Sequence, residues 1–263
     1  MKRFHIDFPK LLPGILVLAV IAALLVALLS RSPSSHPEVP VPEEGDFYYD
    51  EQGYLRCSSV PARLGIDVSS HQGEIDWEQV AASGIEFAMV RIVWRGYDQG
   101  GVYLDDTARQ NLSGARAAGL DVGAYVFSQA INPEEARQEA QMALDFLADI
   151  PLDYPLVFDW ERVTGDARTA QLTGQEITEC TRAFCQAVQQ AGYQPAFYFN
   201  QDLAANAFDL EKLSEFDFWL AQYRDALSFD YPVAMWQYSC TGSVPGIDGD
   251  VDMNLCFADY GAY

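Results

Sequence analysis

The chain is predicted to fold as an α/β protein, an irregular β/α barrel of five β/α units and three further strands, preceded by one transmembrane helix. Two patterns point there: eight short β-rich apolar runs with amphipathic stretches after the first five, and one long uncharged apolar segment near the start. An open doubly wound sheet is the structural alternative, because strand number alone does not prove closure.

In chain order, residues 1–10 carry Lys2, Arg3 and Lys10 and are expected on the cytoplasmic side. Residues 11–29 form an uncharged apolar run of 19 residues, about what a helix needs to cross a hydrocarbon core of roughly 30 Å. The basic residues before it, and Glu38, Glu43, Glu44, Asp46 and Asp50 after it, place the long C-terminal part outside by the positive-inside rule. The expected location is therefore the cell membrane, single-pass, with an extracytoplasmic domain. A cleaved signal peptide is the rival reading and would leave a secreted protein. Ala27-Leu28-Leu29-Ser30 offers no clean small-x-small cleavage site. Residues 30–62, rich in Pro, Ser and acids, read as an extended linker with little core of its own.

Residues 63–263 make up the expected barrel domain. Strands are predicted at 64–69, 87–94, 121–128, 155–161, 195–200, 218–223, 233–239 and 250–255. Helices fill the gaps at 77–83, 105–118, 133–149 and 175–191, with shorter pieces at 202–206 and 210–214. Asn132-Pro133-Glu134-Glu135 marks a helix start with acids at the positive end of the dipole, and Ala118-Gly119 marks a helix stop.

Composition excludes some partners. With 38 Asp and Glu against 16 Lys and Arg, the formal charge is -22, so nucleic acid is a poor partner, since its binders need positive surface to neutralise phosphates. An acidic polymer would also repel the chain, so work on one needs a physical tether. Five cysteines are an odd number for an exported protein. Cys180 and Cys185 sit badly for pairing on one predicted helix, whereas Cys240 and Cys256 flank the last predicted turn and could pair if geometry permits. His5, His36 and His71 are scattered, so no metal and no cofactor is expected.

The most informative segment is Pro155-Leu156-Val157-Phe158-Asp159-Trp160-Glu161. Side chains alternate across a strand, so Asp159 and Glu161 point one way and Trp160 the other. At the C-terminal end of a barrel strand, such acids open onto the face where active sites lie. Crowded, partly buried carboxyls push at least one pKa upward, which suits a general acid. Taken alone, a D-x-E is more often a solvated strand end. Asp67, ending the first predicted strand, and Asp252, in the last, change that, because barrel closure makes those strands neighbours. A Ca²⁺ or Mg²⁺ site of oxygen ligands remains an alternative use of four acids. Tyr125, Phe127, Trp160, Tyr198, Tyr223, Trp236 and Tyr238 lie near the same strand ends, with Asn200 and Gln237 among them.

The stretch from Gly65-Ile66-Asp67-Val68-Ser69-Ser70-His71-Gln72-Gly73 to Glu74-Ile75-Asp76-Trp77 resembles the opening of the family 25 glycoside hydrolases, the CH-type lysozymes. Ala118-Gly119-Leu120-Asp121-Val122-Gly123-Ala124-Tyr125 is similar to that family's third strand, and Phe158-Asp159-Trp160-Glu161 to its catalytic D-x-E. Trp236-Gln237-Tyr238 and Val251-Asp252-Met253-Asn254 resemble its closing strands. One departure stands out: Arg91 and Trp94-Arg95 occupy the second strand where the family often has a Lys-Ala-Thr/Ser-Glu-Gly-like run. The resemblance implies hydrolysis of the β-1,4 bond between N-acetylmuramic acid and N-acetylglucosamine in peptidoglycan. Glu161 would be the general acid/base, Asp159 its partner, and Asp67 and Asp252 the rest of the acidic cluster. The aromatic residues named above, with Asn200 and Gln237, would bind the glycan. The partners would then be peptidoglycan strands and, through the N-terminal helix, the membrane, with the chain acting as a monomer.

Strand geometry limits the mechanism. Residues two apart separate their Cα atoms by about 6.6 Å and enter the pocket from one wall, whereas two-carboxylate schemes need acids flanking the bond. Attack by the substrate's own 2-acetamido group, with Glu161 as acid and Asp159 orienting the amide, is the expected route. A catalytically inactive glycan-binding barrel, and a hydrolase of another exported polysaccharide, are the competing readings.

Overall fold

The computed structural model describes residues 39–148 and 150–260. Two short strands, β1 (Phe47–Tyr49) and β2 (Leu55–Cys57), pair as an antiparallel hairpin. The main sheet follows with β3 (Arg63–Val68), β4 (Phe87–Arg95), β5 (Val102–Leu104), β6 (Asp121–Ser128), β7 (Leu156–Trp160), β8 (Pro195–Asn200), β9 (Asp217–Ala221), β10 (Met235–Gly242) and β11 (Val251–Cys256). Strands β3, β4, β6, β7, β8, β9 and β10 pair in that order, all parallel. Strand β11 then runs antiparallel to both β10 and β3 and closes the ring. Closure removes the open doubly wound alternative. β5 stands outside the ring, antiparallel to the end of β4.

The crossover helices are α1 (Trp77–Ala82), α2 (Ala108–Ala117), α3 (Pro133–Leu147), α4 (Gly174–Gln190), α5 (Gln201–Asn206) and α6 (Leu210–Leu213). Among the described residues none follows β9 or β10, so the last three strands close without helices. The starts of α3 and α4 follow from local chemistry. Asn132 Oδ1 accepts from the Glu135 N–H at 2.9 Å with Pro133 behind it, and Thr173 and Glu176 form a reciprocal capping box. Gly119 ends α2 at φ 90°, a conformation that costs a side-chain-bearing residue energy.

Strand alternation sorts the apolar residues into two cores. Phe158 and Trp160, with Phe184, Cys180 and Ile177 of α4, pack between barrel and helices. Phe87, Met89, Tyr125, Val157, Trp219 and Met235 fill the barrel interior. Gly65 is required there, because a Cβ at that position would run into the Phe87 ring.

Part of the stretch read as a spacer is folded. In residues 44–57 a 3-10 turn leads into the β1–β2 hairpin, which buries Tyr54 and Leu55 and sets the Phe47 ring edge-on to Trp236 at 5.1 Å. Strands of three residues with only Leu55 buried among the six carry too weak a periodicity to be read from sequence. The apolar run 11–29 lies outside the described residues, and among the described residues no helix is long and apolar enough to cross a membrane. All five cysteines are free. Cys240 and Cys256 do not pair: β11 aligns Cys256 with Met235 at the far end of β10, and Cys240 is exposed while Cys256 is buried.

Candidate active site

The C-terminal ends of the parallel strands surround a cavity of about 260 Å³ that contains all four predicted acids, Asp67, Asp159, Glu161 and Asp252. Asp67 lies one residue before the end of β3, and Asp252 is its direct partner on β11. Asp159 is the last inward-facing residue of β7, and Glu161 follows one residue past the strand's end. Tyr125, Phe127, Tyr198, Tyr223 and Gln237 line the same cavity.

The other predicted contacts lie elsewhere, for reasons of strand parity. Trp160 is fully buried on the outer side of β7, where its indole N–H donates to the Ala130 carbonyl at 3.2 Å. Since Gln237 points inward, its neighbours Trp236 and Tyr238 point outward. Trp236 donates to the Gln222 carbonyl at 2.8 Å, and the Tyr238 hydroxyl accepts from the Leu55 N–H at 3.4 Å. Asn200 caps α5 by accepting from the Leu203 N–H at 2.9 Å.

A polar network fixes the floor. Asp67 Oδ2 accepts from Gln237 Nε2 at 2.9 Å and from Asn254 Nδ2 at 2.8 Å. The other ends of those amides are also occupied: Gln237 Oε1 accepts from the hydroxyls of Tyr198 at 2.9 Å and Tyr223 at 3.0 Å, and Asn254 Oδ1 accepts from the Trp219 indole at 2.8 Å. The donor-only indole therefore fixes the Asn254 amide orientation. By contrast, Oδ1 of Asp159 is buried and accepts a hydrogen bond from no N–H or hydroxyl group among the described residues.

Burial dominates the electrostatics. It pushes the Asp67 carboxyl well above its ordinary range, and the charge of Asp252 adds to the effect. Burial and then the charges of Glu161 and Asp67 do the same to Asp159. Glu161 and Asp252 are raised by burial as well, but each accepts a hydrogen bond from its deeper partner that pulls the other way. Asp159 with Glu161, and Asp67 with Asp252, thus behave as pairs that share a proton. The arrangement can deliver a proton from its more accessible members and hold negative charge beside a developing cation.

Several residues of the site were not assigned to it from the sequence. Arg91 lines the cavity as its cation; its Nε donates to Asp105 Oδ2 at 2.9 Å, its Nη2 donates to Ser70 Oγ at 3.1 Å, and its charge partly offsets the rise at Asp159. Gln129, fully buried behind the rim, donates to the main-chain carbonyl of Glu161 at 2.8 Å and accepts from the Thr169 hydroxyl at 2.9 Å. Asn254 sits within the quoted V-D-M-N run, two residues from Asp252 and on the same face, so alternation could have found it. Among the described residues no group of three or more His, Cys, Asp or Glu side chains is arranged to hold a metal ion.

Residues 66–247 match the family model described as glycosyl hydrolases family 25. The chain is 26% identical over 191 residues to the autolytic lysozyme of Clostridium acetobutylicum, an alignment covering 72% of this chain and 54% of that protein. Its fold is similar to that of the modular autolysin LytC from Streptococcus pneumoniae, with a TM-score of 0.67, 23% identity, and 82% of this chain and 51% of the other covered. It is also similar to the bacterial lysozyme from Streptomyces coelicolor, with a TM-score of 0.60, 25% identity, and 73% and 90% covered. The chain thus spans about half the length of the first two relatives.

Proposed function

Because the chain belongs to glycosyl hydrolase family 25, we propose that it hydrolyses the β-1,4 bond between N-acetylmuramic acid and N-acetylglucosamine in peptidoglycan, with retention at the anomeric carbon. The observation that carries this reading is the convergence of two proton-sharing carboxyl pairs on one cavity at the mouth of the barrel. Relatives called lysozymes in Clostridium acetobutylicum and Streptomyces globisporus support it.

Glu161, the less buried member of its pair, passes the proton it shares with Asp159 to the leaving glycosidic oxygen. Asp159, which lines the same wall of the cavity, orients the N–H of the substrate's 2-acetamido group. The acetamido oxygen then attacks the anomeric carbon as the C–O bond breaks, giving a cyclic oxazolinium. Water opens that ring, passing its proton to Glu161 and restoring the starting state. Asp67, pinned by Gln237 and Asn254, and Asp252 hold negative charge near the cationic sugar.

The test is reducing-end release from purified peptidoglycan by the full-length chain, with mass analysis of the fragments. Glu161→Gln should lower the rate by roughly 10²–10⁴-fold. Substantial activity in that variant, an inverted anomer, or fragments without reducing-end N-acetylmuramic acid would contradict the assignment. A native chain that binds glycan and releases nothing would favour the binding-only alternative.

The same reading places the enzyme at the outer face of the cell membrane, tethered through the apolar run 11–29. Its support is the length of that run and the basic-before, acidic-after charge asymmetry. A tether suits local trimming of wall close to the bilayer and offsets the repulsion expected between a chain of charge -22 and an acidic polymer. N-terminal sequencing of the mature protein should find residues 1–29 intact; a start after residue 29 would show a cleaved signal instead.

A further inference from the structure

Next to the acid cavity lies a second cavity of about 480 Å³, whose apolar wall is Trp94, Tyr97, Phe127 and Val163. The two share His71, Arg91 and Phe127, so together they form a continuous cleft across the ends of β4, β6 and β7. Trp94 is backed by the stacked ring of Tyr103 at a centroid distance of 4.7 Å, which holds it in place. Tyr97 is 57% exposed. Trp94 falls where the strand departs from the run that the family often has there.

Charge distinguishes this cavity from its neighbour. Arg91 is neutralised by Asp105, and Arg95, which also reaches the second cavity, is neutralised by Glu139. Apart from the exposed Asp106 carboxylate, His71 and Ser70, the wall that remains is apolar and aromatic, suited to the C–H face of a neutral pyranose rather than to an anion.

We propose that this second cavity is a saccharide subsite for a neutral N-acetylhexosamine, stacked on Trp94 and Tyr97, in the same glycan strand whose bond is cleaved over Asp159 and Glu161. The proposal rests on the muramidase reading for its strand. Peptidoglycan alternates its two sugars, so the ring beside the attacked N-acetylmuramic acid is N-acetylglucosamine in either direction. The subsite therefore matches the polymer whichever way the strand runs through the cleft.

The experiment measures binding of chitotetraose, a neutral N-acetylglucosamine tetramer, to the full-length Glu161→Gln chain by calorimetry. Trp94→Ala and Tyr97→Ala are added singly, and Trp94→Phe serves as the conservative control. Each alanine variant should weaken binding by roughly three- to tenfold, and Trp94→Phe should recover most of the loss. In Glu161-containing chains the same alanine variants should raise KM on polymeric peptidoglycan more than they lower kcat. Unchanged chitotetraose affinity in both alanine variants, or no binding by the parent, overturns the subsite. An inactive native chain that still binds chitotetraose through Trp94 would overturn the hydrolase reading and leave the subsite standing.

Discussion

Asp67 and Asp252 face each other as direct partners across the antiparallel seam where β11 closes onto β3. The contact exists only because the barrel closes, and it places two carboxyls where one proton between them is the economical state. Asp67→Asn should therefore preserve the fold, since an amide of the same shape remains there, while lowering kcat by about tenfold or more, because residue 67 can no longer exchange a proton with Asp252 as charge develops on the sugar. Turnover and thermal melting measured on the same preparation check this; a large drop in Tm with unchanged kcat per folded molecule would contradict it.

The pH dependence of stability has a determined sign. Asp67, Asp159, Glu161 and Asp252 have folded pKa values above their ordinary ones, and Glu139, buried beside Arg95, is pushed up to about 7. The folded state therefore binds more protons than the unfolded one, so stability falls as pH rises from the ordinary carboxyl range through these raised values. Asp50, Asp105 and Glu135 are lowered and act oppositely, withdrawing stability as pH falls below that range. Tm should be higher near about pH 5 than near about pH 8, and Asp159→Asn should flatten the slope. A Tm that climbs steadily toward pH 8 would refute the shared-proton description.

Arg91 and Asp105 form a largely buried pair, the carboxylate fully covered and the guanidinium nearly so. Arg91→Met leaves Asp105 without its counter-charge and should cost about 3–5 kcal/mol of stability by denaturant unfolding. Adding Asp105→Leu should restore part of that loss, although Asp105 also accepts from the Ser70 and Thr107 N–H groups. A loss under about 1 kcal/mol in the single variant would mean the pair is effectively solvated.

Gln129 ties the backbone of Glu161 to Thr169 and holds the proton donor in register with Asp159. Gln129→Leu should lower kcat by roughly tenfold, move the acidic limb of the pH–rate profile and cost about 1–3 kcal/mol through the orphaned carbonyl. A stability loss with no change in the pH profile would make Gln129 a purely structural residue.

The cysteines give a test of the fold itself. Cys240 is exposed and Cys57 half-buried, whereas Cys180, Cys185 and Cys256 are buried, with thiols pushed up by burial. A thiol reagent should label Cys240 first, Cys57 more slowly, and the other three on the timescale of unfolding. Cys240→Ser should leave the non-reducing Tm unchanged. Protection of Cys240 without reductant, relieved by reductant, would indicate a disulfide.

Much of the barrel was legible because burial on alternate faces leaves a repeated trace, and caps such as Asn132-Pro133 and Ala118-Gly119 are local chemistry. The D-x-E at 159–161 was legible for the same reason. Parity also rules out Trp160, Trp236 and Tyr238 as cavity residues, since each sits beside an inward-pointing neighbour; proximity to a strand end was the weaker guide. The β1–β2 hairpin left no such trace, because three-residue strands with one face exposed resemble a polar linker.

By itself, the sequence determined which eight strands form the barrel, which of their faces turn inward, and that acids stand at the ends of β3, β7 and β11. Those properties depend on neighbours a few residues away. Only the tertiary structure decided that Arg91 meets Asp105, that Gln129 holds Glu161, and that Asn254 reaches Asp67 across 187 positions of chain. Such contacts are set by the register in which eight strands close, and no local pattern of residues encodes that register.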